Sequence, residues 1–160
     1  AELMPRRLAN GRSLTLGWHL YLDRLLSGQP GSDPGRRLAS LKRRRQQLHL
    51  AQIDLDLHCG RIDADQALTR LAAQGFGERV AESRLAEIAR APGDALAGAL
   101  GWLLLEAARE WLEGEQGSGF SARRLHDRLV SQGTVPLALL LQLVFGEPLW
   151  GAARARVLGV

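Results

Sequence analysis

Strand-forming patterns are almost absent from this sequence, and this constrains the fold more than any other feature. Valine is scarce, apolar and polar residues do not alternate, and Leu, Ala, Arg, Gln and Glu dominate. Those five residue types are strong helix formers, whereas strands favour β-branched and aromatic residues. The sequence therefore predicts an all-α chain of about seven helices.

Helix boundaries follow from capping residues, chain breakers and the spacing of apolar side chains. The first helix is expected to begin near Ser13 and to end before Gly28, since residues 28–35 are rich in glycine and proline. The second is expected over residues 36–59. Its apolar spacing predicts a packing seam, interrupted by Arg45, that consists of Leu38, Leu41, Leu48, Gln52 and Leu55. Further helices are expected at residues 63–75, 78–90, 94–113, 121–133 and 136–145.

Residues 94–113 are apolar on nearly every side, which predicts a buried central helix. Gly98 and Gly101 lower its helix propensity, and close approach by a neighbouring helix is the expected reason for them. A chain of 160 residues is long enough to form one domain with its own core. We therefore predict a single helical domain over residues 1–160, with weakly ordered or partner-contacting tails at 1–12 and 146–160.

The positive charge is concentrated in one segment. The chain carries 21 Lys and Arg against 17 Asp and Glu, a formal net charge of +4. Between Pro34 and Ile53 there is no acidic residue, but there are six basic ones: Arg36, Arg37, Lys42, Arg43, Arg44 and Arg45. Such a run is usually a solvated helix face. It also permits contact with nucleic acid or an acidic partner, although it lacks the interleaved aromatic residues of a single-strand binder.

Composition excludes several other classes of protein. The single cysteine, Cys59, excludes an internal disulfide framework and a cysteine-rich zinc site. The apolar runs are too short to span a membrane, and no signal peptide is evident, so a cytoplasmic location is the default expectation.

Two pairs of residues have spacing that suits metal binding. Asp54 and His58 are four apart on the second predicted helix, as are His19 and Asp23 on the first, so each pair shares a helix face. Either pair supplies at most two ligands, whereas zinc takes at least three from protein. A hydrogen-bonded pair for the former and a solvated face for the latter are the alternatives. No HExxH, G-x-S-x-G or phosphate-binding glycine loop is present, and we predict no catalytic residue.

Four segments, in order, resemble the motifs of a known family. Residues 15–23 resemble E-G-W-a-l-Y-x-E, and residues 54–58 resemble D-x-G-l-H. Residues 92–96 resemble P-G-Q-A-l, and residues 120–137 resemble F-d-l-R-x-F-H-D…G-x-x-P-L. In this order they are similar to the C-terminal part of the bacterial domain-of-unknown-function 885 family. The resemblance covers about residues 11–144.

The resemblance implies a mostly helical protein related to gluzincin-type zinc peptidases. In that family an HExxH helix lies upstream of the matched segments, and the E-G-W glutamate is the implied third zinc ligand. Leu16 stands at the position of that glutamate, and Glu87 and Ile88 replace an Arg-Tyr pair. The positions that agree with the family are of the kind that form turns, caps and packing contacts: Gly17, Trp18, Tyr21, Asp54, His58, Pro92, Gly93, His126, Asp127, Gly133 and Pro136.

Three hypotheses follow. The first is a non-catalytic helical binding or structural domain that has lost the metal site of a zinc-peptidase-like family and needs no cofactor. The second is a subunit of a split zinc peptidase whose HExxH helix lies on another chain, the only case that implies zinc. The third is a module that binds nucleic acid or an acidic partner through the basic segment. All three imply a protein partner or a homo-oligomer, with Leu103 and residues 137–143 as candidate association surfaces.

Overall fold

The structure is a computed structural model that describes residues 11–133 and 135–159. These residues form eight α-helices and one short 3₁₀ turn, and none of them lies in a strand, which confirms the all-α prediction. The helices are α1 (Arg12–Ser27), α2 (Pro34–His58), α3 (Ala64–Ala73), α4 (Glu78–Arg90), α5 (Asp94–Gln116), α6 (Ala122–Val130), α7 (Leu137–Phe145) and α8 (Glu147–Leu158). None of the described helices is both long and apolar enough to cross a membrane.

Side-chain caps begin three of the helices. Asp33 accepts a hydrogen bond from the backbone N–H of Arg36 at the start of α2. Asp63 and Gln66 form a capping box at the start of α3, and Ser121 caps α6. Each cap pairs an N–H group that the first helical turn leaves unpaired. Pro136 was expected in the first turn of α7, but it is the N-cap residue that precedes that helix.

The chain separates into two compact units. Residues 22–99 form one, and the described residues within 11–21 and 100–159 form the other. In the 22–99 unit, apolar side chains of α2, α3 and α4 and of the α2–α3 loop share one core, which consists of Ile53, Ile62, Ala67, Leu71, Ala81 and Ile88. The single-domain organisation of residues 1–160 stays a prediction.

The predicted seam of α2 is wrong. Its six positions, Leu38, Leu41, Arg45, Leu48, Gln52 and Leu55, are all exposed. The buried face instead carries Ser40, Ala51 and Asp54. The rotation of α2 is fixed by polar contacts with the start of α5, where Asp54 accepts from backbone N–H groups and Gln47 donates to the carbonyl of Ala95 at 2.8 Å. Those contacts turn the leucines outward.

Helix α5 is buried as predicted, since no residue from Asp94 to Glu113 is exposed. It also meets α1 at close range. A Cβ atom on Gly101 would lie 1.8 Å from the carbonyl oxygen of Ser13, and one on Gly17 would lie 2.4 Å from the carbonyl carbon of Gly101. Such distances leave no room for a side chain, which confirms the expected reason for Gly101.

Residues 147–158, part of the tail predicted to be weakly ordered or partner-contacting, form the helix α8. Leu149 and Ala153 of α8 are buried, as are Leu137, Leu140 and Leu141 of α7, and the two helices pack together. Gly146 separates the helices with a φ of +89°, a conformation that glycine adopts without strain. The short apolar helix α7 thus gains a partner that local periodicity did not reveal. Of the predicted N-terminal tail, residues 1–10 lie outside the described residues.

Candidate functional site

The carboxylate of Asp54, the strongest metal-ligand candidate, is engaged by the fold. Asp54 is only 1% exposed. Its Oδ1 accepts hydrogen bonds from the backbone N–H of Gly93 and from Nδ1 of His58, both at 2.9 Å, and its Oδ2 accepts from the N–H of Leu96 at 3.2 Å. The N–H groups lie at the start of α5, where unpaired donors and the helix dipole favour an anion. Asp54 therefore caps α5 from a neighbouring helix.

His58 completes this arrangement at the C-terminal end of α2. Its Nδ1 also lies 2.9 Å from the backbone carbonyl oxygen of Asp54, and its side chain is 31% exposed. A backbone carbonyl oxygen can only accept a hydrogen bond, so this contact places the proton of the ring on Nδ1. The structure thus brings Asp54 and His58 together with the Pro92-Gly93 turn, and so joins two of the motif segments singled out in the sequence.

The other candidate pair, His19 and Asp23, does not share one hydrogen-bonded contact. The Asp23 carboxylate forms an ion pair with Arg43 of α2 at 2.5 Å. Burial alone would raise the pKa of Asp23, but the nearby Ser40 hydroxyl and the charges of Arg43 and Arg44 hold that pKa below its ordinary value. His19 is exposed and borders an apolar pocket. Asp23 is thus committed to a cation on the basic segment.

The described residues do not fit a zinc ion. No three His, Cys, Asp or Glu side chains within residues 11–133 and 135–159 lie close enough together to hold a metal ion. The buried Asp54 carboxylate already accepts three hydrogen bonds, two of them from the N-terminus of α5. Leu16, at the position where the resemblance implies the third ligand, is apolar.

A second cluster joins α1 to α6 through aromatic side chains. The hydroxyl of Tyr21 lies 2.8 Å from Nε2 of His126. The His126 ring meets the rings of Trp18 and Tyr21 edge to face, each at 5.5 Å between centroids. Tyr21 is 1% exposed, so its polar end needs such a partner inside the protein. Trp18, Tyr21 and His126 therefore act together as a packed, hydrogen-bonded contact.

The environment of His126 favours its neutral form. Burial lowers the pKa of His126, the charge of Arg109 on α5 lowers it further, and Asp127 opposes both. A neutral ring that carries its proton on Nδ1 accepts the Tyr21 O–H at Nε2. The carboxylate of Asp127, the next residue, lies 3.7 Å from Nε of Arg123 in an exposed ion pair.

An apolar pocket of about 340 Å³ lies beside this cluster. It is lined by Leu14, Thr15, Trp18, His19, Leu129, Val130 and Gly133. The lining offers almost no polar surface apart from Thr15, whose hydroxyl already donates to the carbonyl of Gly11 at 3.3 Å, and His19. Binding pockets usually combine an apolar wall with a few convergent polar groups, and this one holds few.

The remaining motif residues form turns. Gly93 and Gly133 have φ values of +83° and +72°, a region that other residues avoid. Pro92 precedes Gly93 in the short turn between α4 and α5, and Pro136 precedes α7. These positions therefore end one helix and direct the next.

The six basic residues lie along the first half of α2. Arg36, Arg37, Lys42, Arg43 and Arg45 are exposed, and Arg44 is half-buried near Asp23. Arg37 donates to the carbonyl of Gln29 and Arg45 to Oε1 of Gln74, each at 3.3 Å. Within the described part of the chain, the side chains of Arg36 and Lys42 make no hydrogen bond or ion pair. The segment thus keeps most of its charge available to solvent.

Sequence reasoning missed the pairing of Tyr21 with His126, which lie 105 residues apart. It also missed Arg109, which forms an ion pair with Glu113 at 2.6 Å and influences the pKa of His126. Two aromatic motif residues on the apolar face of α1 and a histidine in a second motif were the only available signal. Neither motif specifies that the two segments meet.

Comparison with known families gives this arrangement a context. Residues 5–144 match the model of the family described as bacterial protein of unknown function, the domain-of-unknown-function 885 family. The match covers most of the chain, so the chain belongs to this family and the resemblance is confirmed. No curated protein and no solved structure matches the chain.

Proposed function

We propose that this chain is a non-catalytic helical domain that acts by binding another protein. The observation that carries the proposal is the state of Asp54. Its two carboxylate oxygens accept three hydrogen bonds within the fold. Two of these come from backbone N–H groups at the start of α5. The side chain best placed by sequence to hold a metal thus stabilises a helix junction instead.

The other chemically capable motif residues support the same interpretation. Tyr21 and His126 pair with each other, and the lowered pKa of His126 keeps its ring neutral near pH 7. A zinc hydrolase requires three protein ligands, an open coordination position and a general base. The residue at the implied third-ligand position, Leu16, has no donor atom. This also weighs against a split zinc peptidase, since that ligand belongs to the present segment.

Metal titration and a cleavage assay test the proposal directly. The chain is titrated with zinc by calorimetry and incubated with a mixed peptide library plus zinc, with products read by mass spectrometry. We expect no stoichiometric zinc site that depends on His58 and no cleavage above a heat-inactivated control. One equivalent of zinc that is lost in His58→Ala, together with peptide cleavage, would overturn the proposal.

Identification of the partner protein tests the alternative that this chain is a subunit of a split zinc peptidase. The chain is used to capture partners from a bacterial lysate, and the captured proteins are identified. An HExxH-bearing partner whose addition produces peptide cleavage would replace our proposal with the split-enzyme hypothesis. A partner without such a helix leaves the chain as a binding domain.

A further inference from the structure

The exposed face of α2 has the spacing of a coiled-coil seam. Leu38, Leu41, Arg45, Leu48, Gln52 and Leu55 follow one another at alternating steps of three and four residues. This 3-4 alternation places side chains in a single line along a helix and is the pattern through which two helices associate. At 1.5 Å per residue the line is about 26 Å long. We call these six residues the leucine stripe.

The four leucines of the stripe are unusually accessible. Their exposures are 53% for Leu38, 56% for Leu41, 43% for Leu48 and 39% for Leu55. Single exposed leucines are common on protein surfaces, but four exposed leucines aligned along one helix indicate an interaction site. The described residues leave this line uncovered.

The flanks of the first half of the stripe are positively charged. In the heptad register of the stripe, the flanking positions of its first half hold Arg37, Lys42 and Arg44. Further along, Asp56 is the one acidic flanking residue, and it is engaged by Arg61 and Arg70 at 3.3 and 2.6 Å. Flanking residues of a helix pair interact across the interface and select partners by charge. Positively charged flanks on α2 therefore favour a partner helix whose flanking residues are acidic.

We propose, as an extension of the proposed binding function, that the leucine stripe binds an acidic amphipathic helix of a partner protein. The partner supplies a line of apolar side chains with Glu or Asp at its flanks. It also supplies an acidic residue opposite Arg45, because an unpaired arginine inside an apolar interface is costly.

A second copy of this chain fits the surface less well. In a parallel pair, Arg37 of one copy would face Lys42 of the other. In an antiparallel pair, the Arg45 side chains of both copies would lie in the seam among leucines without a carboxylate. Like charges and uncompensated charges at an interface both oppose association.

A nucleic acid or a membrane would also match only some of the properties of this surface. A phosphate backbone would neutralise the arginines but offers no apolar partner for the leucines. A membrane would accept the leucines and the basic flanks, but Arg45 and Gln52 would interrupt the inserted face. A helix with acidic flanks matches both the apolar line and the charge.

Two synthetic peptides test the inference. Each has about 21 residues, three heptads with leucine at the seam positions. One carries glutamate at the flanks and opposite Arg45, and its control carries lysine at the same positions. The full chain, labelled with a fluorophore on the exposed Cys59, is titrated with each peptide. We expect the glutamate peptide to bind about tenfold or more tightly than the lysine peptide at low salt, with a smaller difference at about 0.5 M salt.

Substitutions locate the binding surface. Leu41→Lys is expected to weaken binding of the glutamate peptide about tenfold or more, since it places a charge in the stripe. The matched control Val80→Lys alters a 48%-exposed apolar residue on α4 and is expected to leave binding unchanged. Reversing the flanks with Arg37→Glu and Lys42→Glu is expected to transfer the preference to the lysine peptide. Circular dichroism verifies that each variant is folded.

Several outcomes would overturn the inference. These are equal binding of the two peptides, binding insensitive to Leu41→Lys, and a dimer of the chain that Leu41→Lys dissociates. Binding to vesicles of phosphatidylglycerol and phosphatidylcholine without binding to either peptide would assign the stripe to membranes. The zinc and cleavage assays are unaffected by these results, so this inference and the proposed function fail separately.

Discussion

At the scale of single residues, Asp54 is the side chain that joins α2 to the start of α5. It is buried and accepts hydrogen bonds from Gly93, Leu96 and His58. We expect Asp54→Ala to lower the free energy of unfolding by about 2–4 kcal/mol, because buried backbone donors lose their partner. Asp54→Asn retains one acceptor and is expected to cost less. Urea denaturation measures both.

The control for Asp54 is an aspartate that makes only a surface contact. Asp127 is 72% exposed and lies 3.7 Å from Arg123. Asp127→Asn is expected to change the free energy of unfolding by less than about 0.5 kcal/mol. Equal effects of the two Asn substitutions would contradict the capping role of Asp54.

Among the helices, the contact between α1 and α5 depends on glycine. We expect Gly101→Ala to destabilise the fold by about 2–3 kcal/mol, since a methyl group at that position meets the backbone of Ser13 and forces the helices apart. Gly114→Ala, in the same helix, meets no atom within 4 Å. It is expected to stabilise the fold by up to about 1 kcal/mol through helix propensity. Thermal denaturation gives the sign of each effect, and a stabilising Gly101→Ala would exclude the close contact.

The interruption of the leucine stripe by Arg45 is a second feature at the scale of the helix. Arg45→Leu joins Leu41 to Leu48 in a continuous apolar line and removes a charge that opposes self-association. We expect this variant to dimerise in a concentration-dependent manner by analytical ultracentrifugation. Arg36→Leu, the same substitution off the stripe, is expected to leave the oligomeric state unchanged. Equal association of both variants would mean that general surface hydrophobicity, rather than the stripe, drives it.

For the molecule as a whole, stability is expected to fall in two steps as the pH decreases. The pKa of His126 lies below its ordinary 6.5, so the unfolded chain takes up that proton first and stability declines as the pH falls below about 6.5. The pKa values of Asp23 and Asp56 lie below their ordinary 3.8, so the stability they contribute is present above that pH and is lost below it.

Urea denaturation from pH 8 to pH 3 measures this profile. His126→Gln is expected to reduce the first decline and to leave the second unchanged, since the amide does not titrate in this range and still offers Tyr21 a hydrogen-bond partner. A wild-type stability that increases between pH 7 and pH 5 would contradict the lowered pKa of His126.

Local signals were sufficient to predict most helices but not how they pack. Caps such as Asp63 with Gln66, and breakers such as Gly75, act within a few residues and can be recognised in sequence. The orientation of α2 depends on contacts with residues 39 and 42 positions away, so its leucines were assigned to the wrong side. The Tyr21–His126 contact spans 105 positions and left no local pattern. Helix α8 was missed because its apolar residues are not confined to one face of the helix, and its packing partner α7 could not be recognised from local sequence.

Helix α5 has no exposed residue from Asp94 to Glu113, and this makes the helix a reporter of cooperativity. Backbone amides in such a helix exchange with deuterium only when the structure around them opens. Residues 94–99 belong to one compact unit and residues 100–116 to the other, so the two parts of one continuous helix monitor the opening of different units. Equal exchange rates along α5 would mean that the chain unfolds as one cooperative body. A step in rate near residue 100 would mean that one unit opens while the other stays folded.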